Sequence, residues 1–266
     1  MEMSNSGVKN KVIFFGNGPL SEYVLAVLAR ECQVIFHART REDLEKVKEL
    51  KRSNPDAYGV LASFGVMVPK SVLEIFEPEG ILNIHPSLLP SYRGASPIES
   101  AILAGDTEFS VSVMKLAPEM DAGPIYYQTT LSDLPICKND IYKALAETGA
   151  EWIVKNLENL PEPVLQDDSK ATFCGKMEKS MGVLTPETDT AEQTFREIVA
   201  YQGFPKPKYE FYGLNCIILE AHVLEQGEKA VLTIPCADGR EVAIDRLQPE
   251  GRKAMDAKAF LNGYKK

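Results

Sequence analysis

Long apolar runs, paired cysteines and an excess of basic charge are all missing from this sequence, and each absence removes a class of function. Nowhere do about 18 apolar residues follow one another, the length a membrane helix needs. The first apolar run, Val12 to Phe15, is too short for the core of a secretory signal, so no membrane partner is expected. The five cysteines, Cys32, Cys137, Cys174, Cys216 and Cys236, are odd in number and scattered, without C-x-x-C or C-x-x-H spacing. Neither a disulfide framework nor a metal site is expected, and a reducing, cytoplasmic compartment fits. A formal charge of −9 speaks against coating nucleic acid through bulk electrostatics. Residues 176–266 hold 13 Lys and Arg against 14 Asp and Glu, a net of −1, so most of the acidity lies in residues 1–175 and a local basic face is still compatible with the sequence. There is no G-x-S-x-G and no reactive Cys-His arrangement, which argues against a covalent acyl-enzyme.

What is present is an ordinary globular composition, 44% apolar and 25% charged over 266 residues, enough for one large domain and a small one. Lys11 to Gly16 is a short apolar run ending in glycine, and Ser21 to Glu31 follows with helical spacing of Tyr23, Val24, Val27 and Leu28. The pattern repeats in Gln33 to Phe36 before a charged helix over Arg41 to Arg52, then in Ala57 to Ala62 before a helix from Pro69 to Phe76. Ile81 to Ile84 is a fourth strand, followed by a loop from His85 and a helix over Pro97 to Ala104. This alternation predicts an α/β fold with a Rossmann-like, doubly wound, mostly parallel sheet, in which ligands bind beyond the carboxyl ends of the strands. Two further strands, Phe109 to Met114 and Ile125 to Leu131, and a long helix from Asp140 to Leu160 complete the first domain. Domain boundaries are expected at 1–165 and 181–266, with 166–180 a polar linker. After a helix over Ala191 to Tyr201, short strands at Lys208 to Tyr212, Cys216 to Leu224, Ala230 to Pro235 and Glu241 to Ile244 predict a small OB-like β-barrel. No obvious interface stripe is present, and a monomer is expected.

The informative segment is Asn83-Ile-His85-Pro-Ser-Leu-Leu-Pro-Ser-Tyr-Arg-Gly-Ala-Ser-Pro97, followed by Met120-Asp-Ala-Gly-Pro124. Strand alternation sends Asn83 and His85 to the same side of one strand end, and Asp121 in a later loop can meet them. Acyl transfer to an amine needs donors aimed at the oxyanion developing on the carbonyl, and a group that takes a proton from the attacking nitrogen. An Asn, a His and an Asp supply both. Gly16-x-Gly18 lacks the third glycine of a dinucleotide fingerprint, because Ser21 stands there, and is read as a tight turn that binds no nucleotide. His37 and His222 are read as hydrogen-bonded structural residues. Arg93 either braces its loop against a carboxylate or lines the acceptor's path.

Asn-x-His, Ser-Leu-Leu-Pro, Arg-Gly and an Asp about forty positions beyond the Asn resemble the signature of enzymes that take the formyl group from N10-formyltetrahydrofolate. The resemblance runs nearly end to end, through Gly175-Lys-Met177 and the tail from Leu247 to Asn262, and is strongest to the branch whose acceptor is initiator methionyl-tRNA. It implies that Asn83 donates to the oxyanion, that His85 donates to or positions the formyl oxygen, and that Asp121 holds His85 and helps shuttle the amine proton. It also implies a tetrahydrofolate site along Ser87, Leu88, Leu89 and Pro90, with the pterin near Phe64, Gly65, Val66 and Met67 and near Glu119 and Met120. One departure concerns the acceptor. The basic loop that follows the second strand in many bacterial members is missing or much shortened, since Phe36 to Arg41 leads almost directly into a helix. Grip on RNA would fall to residues such as Arg39, Arg41, Lys51, Arg52, Lys206, Lys208, Lys265 and Lys266, each equally readable as a solvated surface charge. A small amine, such as an amino sugar nucleotide, is the alternative acceptor.

Overall fold

The computed structural model describes residues 9–264. In chain order the elements are β1 (Lys11–Gly16), α1 (Pro19–Glu31), β2 (Gln33–Ala38), α2 (Asp43–Ser53), β3 (Tyr58–Ala62), α3 (Lys70–Leu73, continued as a 3-10 turn), β4 (Ile81–His85), β5 (Arg93–Gly94), α4 (Pro97–Ala104), β6 (Phe109–Lys115), β7 (Ile125–Leu131) and α5 (Lys138–Asn156). After these come β8 (Phe173–Cys174), α6 (Ala191–Ala200), β9 (Lys208–Phe211), β10 (Leu214–Val223), β11 (Thr233–Pro235), β12 (Glu241–Pro249), β13 (Met255–Asp256) and α7 (Ala257–Tyr264). No helix among the described residues is long and apolar enough to cross a membrane.

The chain divides into two compact units. Among the described residues, the first comprises those up to Ile98, Thr107–Pro135 and Asn139–Cys174; the second gathers Glu99–Asp106, Ile136–Lys138 and those from Gly175 onward. The segment 166–174, polar and aperiodic in sequence, is tied into the first unit through the β5–β8 pairing and the hydrogen bond from Arg93 N to Thr172 O.

A six-stranded sheet of order β2-β1-β3-β4-β6-β7 forms the first unit. The pairs from β2 to β4 are parallel, as their helical crossovers require. The pairs β4–β6 and β6–β7 are antiparallel, so the sheet is mixed at that edge. Alternation divides the side chains cleanly. Ile13, Phe15, Leu61 and Ile81 share a core with Leu44 and Val47 of α2 and Val72 and Leu73 of α3. On the opposite face Ile84 meets α5 at Gly149, where a Cβ would lie 2.8 Å from the Ile84 Cγ2, so the helix approaches β4 closely only because that position has no side chain. The Gly16 turn behaves likewise: a Cβ there would stand 2.6 Å from that of Ser21 and 2.7 Å from the Ala62 carbonyl.

In the second unit, β9 to β13 form an antiparallel sheet of order β11-β12-β10-β9, with β13 added along β12. Register shifts between Ile218 and Ala221 bend β10, which curls the sheet as bulges do. Among the described residues no β9–β11 ladder closes it, so the barrel is a half-barrel. Its core is Phe211, Cys216, Ile218, Ile234, Val242, Ile244, Leu247 and Phe260, the last contributed by α7.

Candidate active site

β4 is buried along its whole length and carries Asn83 and His85 on the face that Ile81 shares. The loop after β6 has to travel to reach them. Leu116 N donates to Ile81 O at 2.8 Å, so that loop starts at the amino end of β4, while Ile125 pairs with Met114 at its far side. Residues 117–124 therefore fold back along the strand, and this return brings Asp121 beside His85. Gly123 permits it: a Cβ there would sit 1.8 Å from the Lys115 carbonyl. Asp121 itself adopts a φ of 51°, left-handed backbone that a non-glycine residue takes only when its surroundings hold it.

His85 is held through Nε2. Nε2 lies 3.0 Å from the Tyr92 carbonyl, which can only accept, so the neutral ring carries its proton there. Nδ1 is left with its lone pair, 3.7 Å from Asp121 Oδ1, and a proton taken up at Nδ1 would be placed against a carboxylate. The other oxygen, Asp121 Oδ2, accepts from Gly94 N at 2.9 Å. Asn83 differs from both. It is only 4% exposed, yet among the described residues no protein group pairs with its side-chain amide. The amide atoms themselves reach solvent, so the group is open to a ligand or water.

The loop between His85 and Gly94 is braced from within. Ser87 Oγ donates to Ser91 O, Ser112 Oγ donates to Ser87 O, and Gln128 Nε2 reaches both Leu89 O and Ser112 Oγ. Arg93, 5% exposed, sends Nε and Nη2 to Gln166 Oε1 and Nη2 to Asp168 Oδ1, so of its two sequence readings the structure shows the brace.

The residues expected to line a pterin and folate site divide into two sets. Met67, Leu88 and Met120 are exposed, at 72%, 46% and 61%, each on a different one of the three loops. Glu119 is exposed, and Gly65, at φ 70°, has open space where a Cβ would be. Val66 is half-buried against the core, and Pro90 is half-buried after a cis bond from Leu89. Phe64 packs edge-on to Phe15 within the core, Leu89 is 2% exposed, and the Ser87 hydroxyl is spent on Ser91, so these three offer the site backbone rather than side chains. Among the expected basic residues, Lys51 is committed to the Pro55 and Ala57 carbonyls. Lys265 and Lys266 lie outside the described residues. His37 accepts from Arg39 at Nδ1 and donates to Gly16 O from Nε2. Sequence reasoning missed Gln166, Ser112, Gln128 and the Tyr92 carbonyl; no local pattern marks any of them.

Residues 15–157 match the model of the formyl transferase family, and residues 176–265 match the C-terminal domain of formyl transferases. The chain belongs to the formyl transferase family. Among curated relatives, a methionyl-tRNA formyltransferase of Granulibacter bethesdensis is 36% identical over 80% of this chain and 69% of its own length. One from Dehalococcoides mccartyi is 33% identical over 87% of this chain and 78% of its own. Among solved structures, HypX from Aquifex aeolicus in complex with tetrahydrofolic acid superposes with a TM-score of 0.76 at 19% identity, covering 98% of this chain, which spans 48% of that longer one. The methionyl-tRNA formyltransferase of Clostridium thermocellum superposes at 0.66 and 17% identity, over 91% of this chain and 98% of its own. WlaRD, a sugar 3N-formyl transferase, does so at 0.64 and 15%, over 93% and 100%. At such identities these structures bear on the fold.

Proposed function

We propose that this formyl transferase moves the formyl group of N10-formyltetrahydrofolate onto the amino group of initiator methionyl-tRNA, with Asn83, His85 and Asp121 as its catalytic residues. The observation that carries the chemistry is an amide of a buried residue, open to solvent and with no partner among the described residues, on the same strand face as an imidazole whose free nitrogen points at a carboxylate. The formyl carbon sits beside that face. The acceptor nitrogen attacks it, a C–N bond forms, and the carbonyl oxygen becomes an oxyanion that the Asn83 amide receives. The amine's proton passes to Nδ1 of His85, where the Asp121 carboxylate stabilises it and the Tyr92 carbonyl keeps the ring in place. Collapse breaks the bond from carbon to N10 of the folate, the proton returns to that nitrogen, and tetrahydrofolate leaves. Exposed Met67, Leu88 and Met120 supply the apolar surface a pterin and its benzoyl extension need.

The acceptor assignment rests on relatives at 33–36% identity across most of the chain, named for methionyl-tRNA. A second reading, a small amino sugar nucleotide, is favoured by one feature: only four residues separate β2 from α2, too few for a basic loop that grips an acceptor stem. Purified protein with N10-formyltetrahydrofolate should formylate charged initiator methionyl-tRNA and leave nucleotide-linked amino sugars untouched. The reverse preference would replace the first acceptor by the second, and inactivity with both would end the reading.

A further inference from the structure

We propose that Gln166 is a positioning residue for the transfer, acting through Asp121, and that Arg93 serves it; the inference rests on the formyl-transfer reading above. Gln166 lies between the two family matches, 15–157 and 176–265, in a segment that neither covers. Its Nε2 donates to the Asp121 carbonyl at 2.8 Å and to the Gly123 carbonyl at 2.7 Å, and sits 3.9 Å from the sulfur of Met114, the residue opposite Asn83 in the β4–β6 ladder. Both N–H groups are thus spent on the segment that has to fold back along β4. Its Oε1 takes two bonds from the buried Arg93 guanidinium, at 3.0 and 2.7 Å.

The consequence is a bridge between the two halves of the site. The loop holding Arg93 also supplies the Tyr92 carbonyl that accepts from His85 Nε2, and Gly94 N, which donates to Asp121 Oδ2. Through Gln166 the same loop grips the Asp121 backbone. The positive charge on Arg93 polarises the amide it binds, making the N–H groups of Gln166 better donors. Besides this grip, Asp121 is held at its φ of 51° by its carboxylate bond to Gly94 N and by the turn in which Ala122 N donates to Glu119 O. In the right-handed region the carboxylate would leave Nδ1 of His85. Misplacement of a reacting group by about 1 Å can cost on the order of 100-fold in rate.

The test separates positioning from simple structural support. Gln166→Leu should lower kcat by about 10–100-fold with KM for the folate nearly unchanged, following the cost of such misplacement. Gln166→Glu keeps an acceptor for Arg93 but loses both donors; it should stay folded and lose a similar share of kcat. In an Asp121→Asn background, where the carboxylate is already gone, Gln166→Leu should add little, because the two act as one unit. Equal losses in both backgrounds would reduce Gln166 to structural support and overturn the proposal. A readout independent of any acceptor is the amide resonance of Gly94, which should move upfield in Gln166→Leu as its bond to the Asp121 carboxylate is lost. An unmoved Gly94 resonance overturns the positioning claim. A shifted one in a protein that formylates nothing keeps it while removing the function on which it was built.

Discussion

Asn83 in the first unit and Lys138 in the second are both buried polar groups, and they are treated in opposite ways. The ammonium of Lys138 spends its donors completely, on Glu99 Oε1 at 2.9 Å and on the Ala200 and Gln202 carbonyls at 2.7 and 2.8 Å. Asn83, also a buried residue, keeps its amide unpaired among the described residues and open to solvent. A saturated buried charge can do nothing except hold its surroundings together. An unpaired amide that water can reach costs the free protein little and is useful only to something that arrives. The difference separates stability from chemistry inside one chain, and substitution at each position should break one and spare the other.

The largest expected effect is on turnover. Asn83→Ala should cut kcat by about 100–1,000-fold, the usual result of deleting an oxyanion donor, while thermal unfolding stays where it was, because no hydrogen bond within the protein is lost. A comparable drop in Tm would show that Asn83 is a structural residue. Lys138→Met should do the reverse. Removing one member of this buried ion pair costs about 3–5 kcal/mol, readable as a lower urea midpoint, with kcat per folded molecule intact. Replacing Glu99 by Gln in the same chain should recover part of the loss. Unchanged stability in Lys138→Met would remove this side of the comparison.

Glu197 of α6 is a third case, a partly buried carboxyl whose Oε2 has no partner among the described residues. Burial, helped by the negative charge of Asp189, pushes its pKa up from the ordinary 4.5 to about 7. The folded state then binds a proton that the unfolded state has released between those two values. Stability should therefore fall as pH rises from about 4.5 through about 7 and level off above. Glu197→Gln, neutral at every pH, should flatten that slope and be more stable than the parent at pH 8. Parallel curves of Tm against pH for the two proteins would refute the assignment.

How much of this could be read from sequence depends on the range over which the signal acts. The parallel strands and their helices show in periodicity, since each has to bury one face, and Asn83 and His85 share a side because a strand repeats every two residues. The fold-back of 117–124 does not show, because it is decided by Gln166 more than forty positions later and by the absence of a Cβ at Gly123. The Tyr92 carbonyl is invisible for a simpler reason: every residue has one, and only tertiary structure says which carbonyl meets the imidazole. The β5–β8 pair, two residues on each side, is too short for alternation to register. The antiparallel direction of β6 and β7 likewise leaves no mark within the strands themselves.

The smallest effect belongs to His222, where polar groups are saturated but exposed. Its Nδ1 meets Asp245 at 2.8 Å and its Nε2 meets Glu228 at 3.0 Å, with the ring 41% exposed. The hydrogen bond to Asp245, and then that to Glu228, raise its pKa above the ordinary 6.5. The charged ring thus gains its partners only in the folded state. Its contribution is complete below about pH 6.5 and disappears as pH rises through the raised value. Because water and salt screen an exposed cluster, the contribution is small. His222→Gln should lower Tm slightly at pH 6 and not at all at pH 9, and the gap at pH 6 should close in 1 M salt. A gap that persists at pH 9 would mean that the ring matters for packing rather than charge, and the contrast between enclosed and exposed saturation would fail at this position.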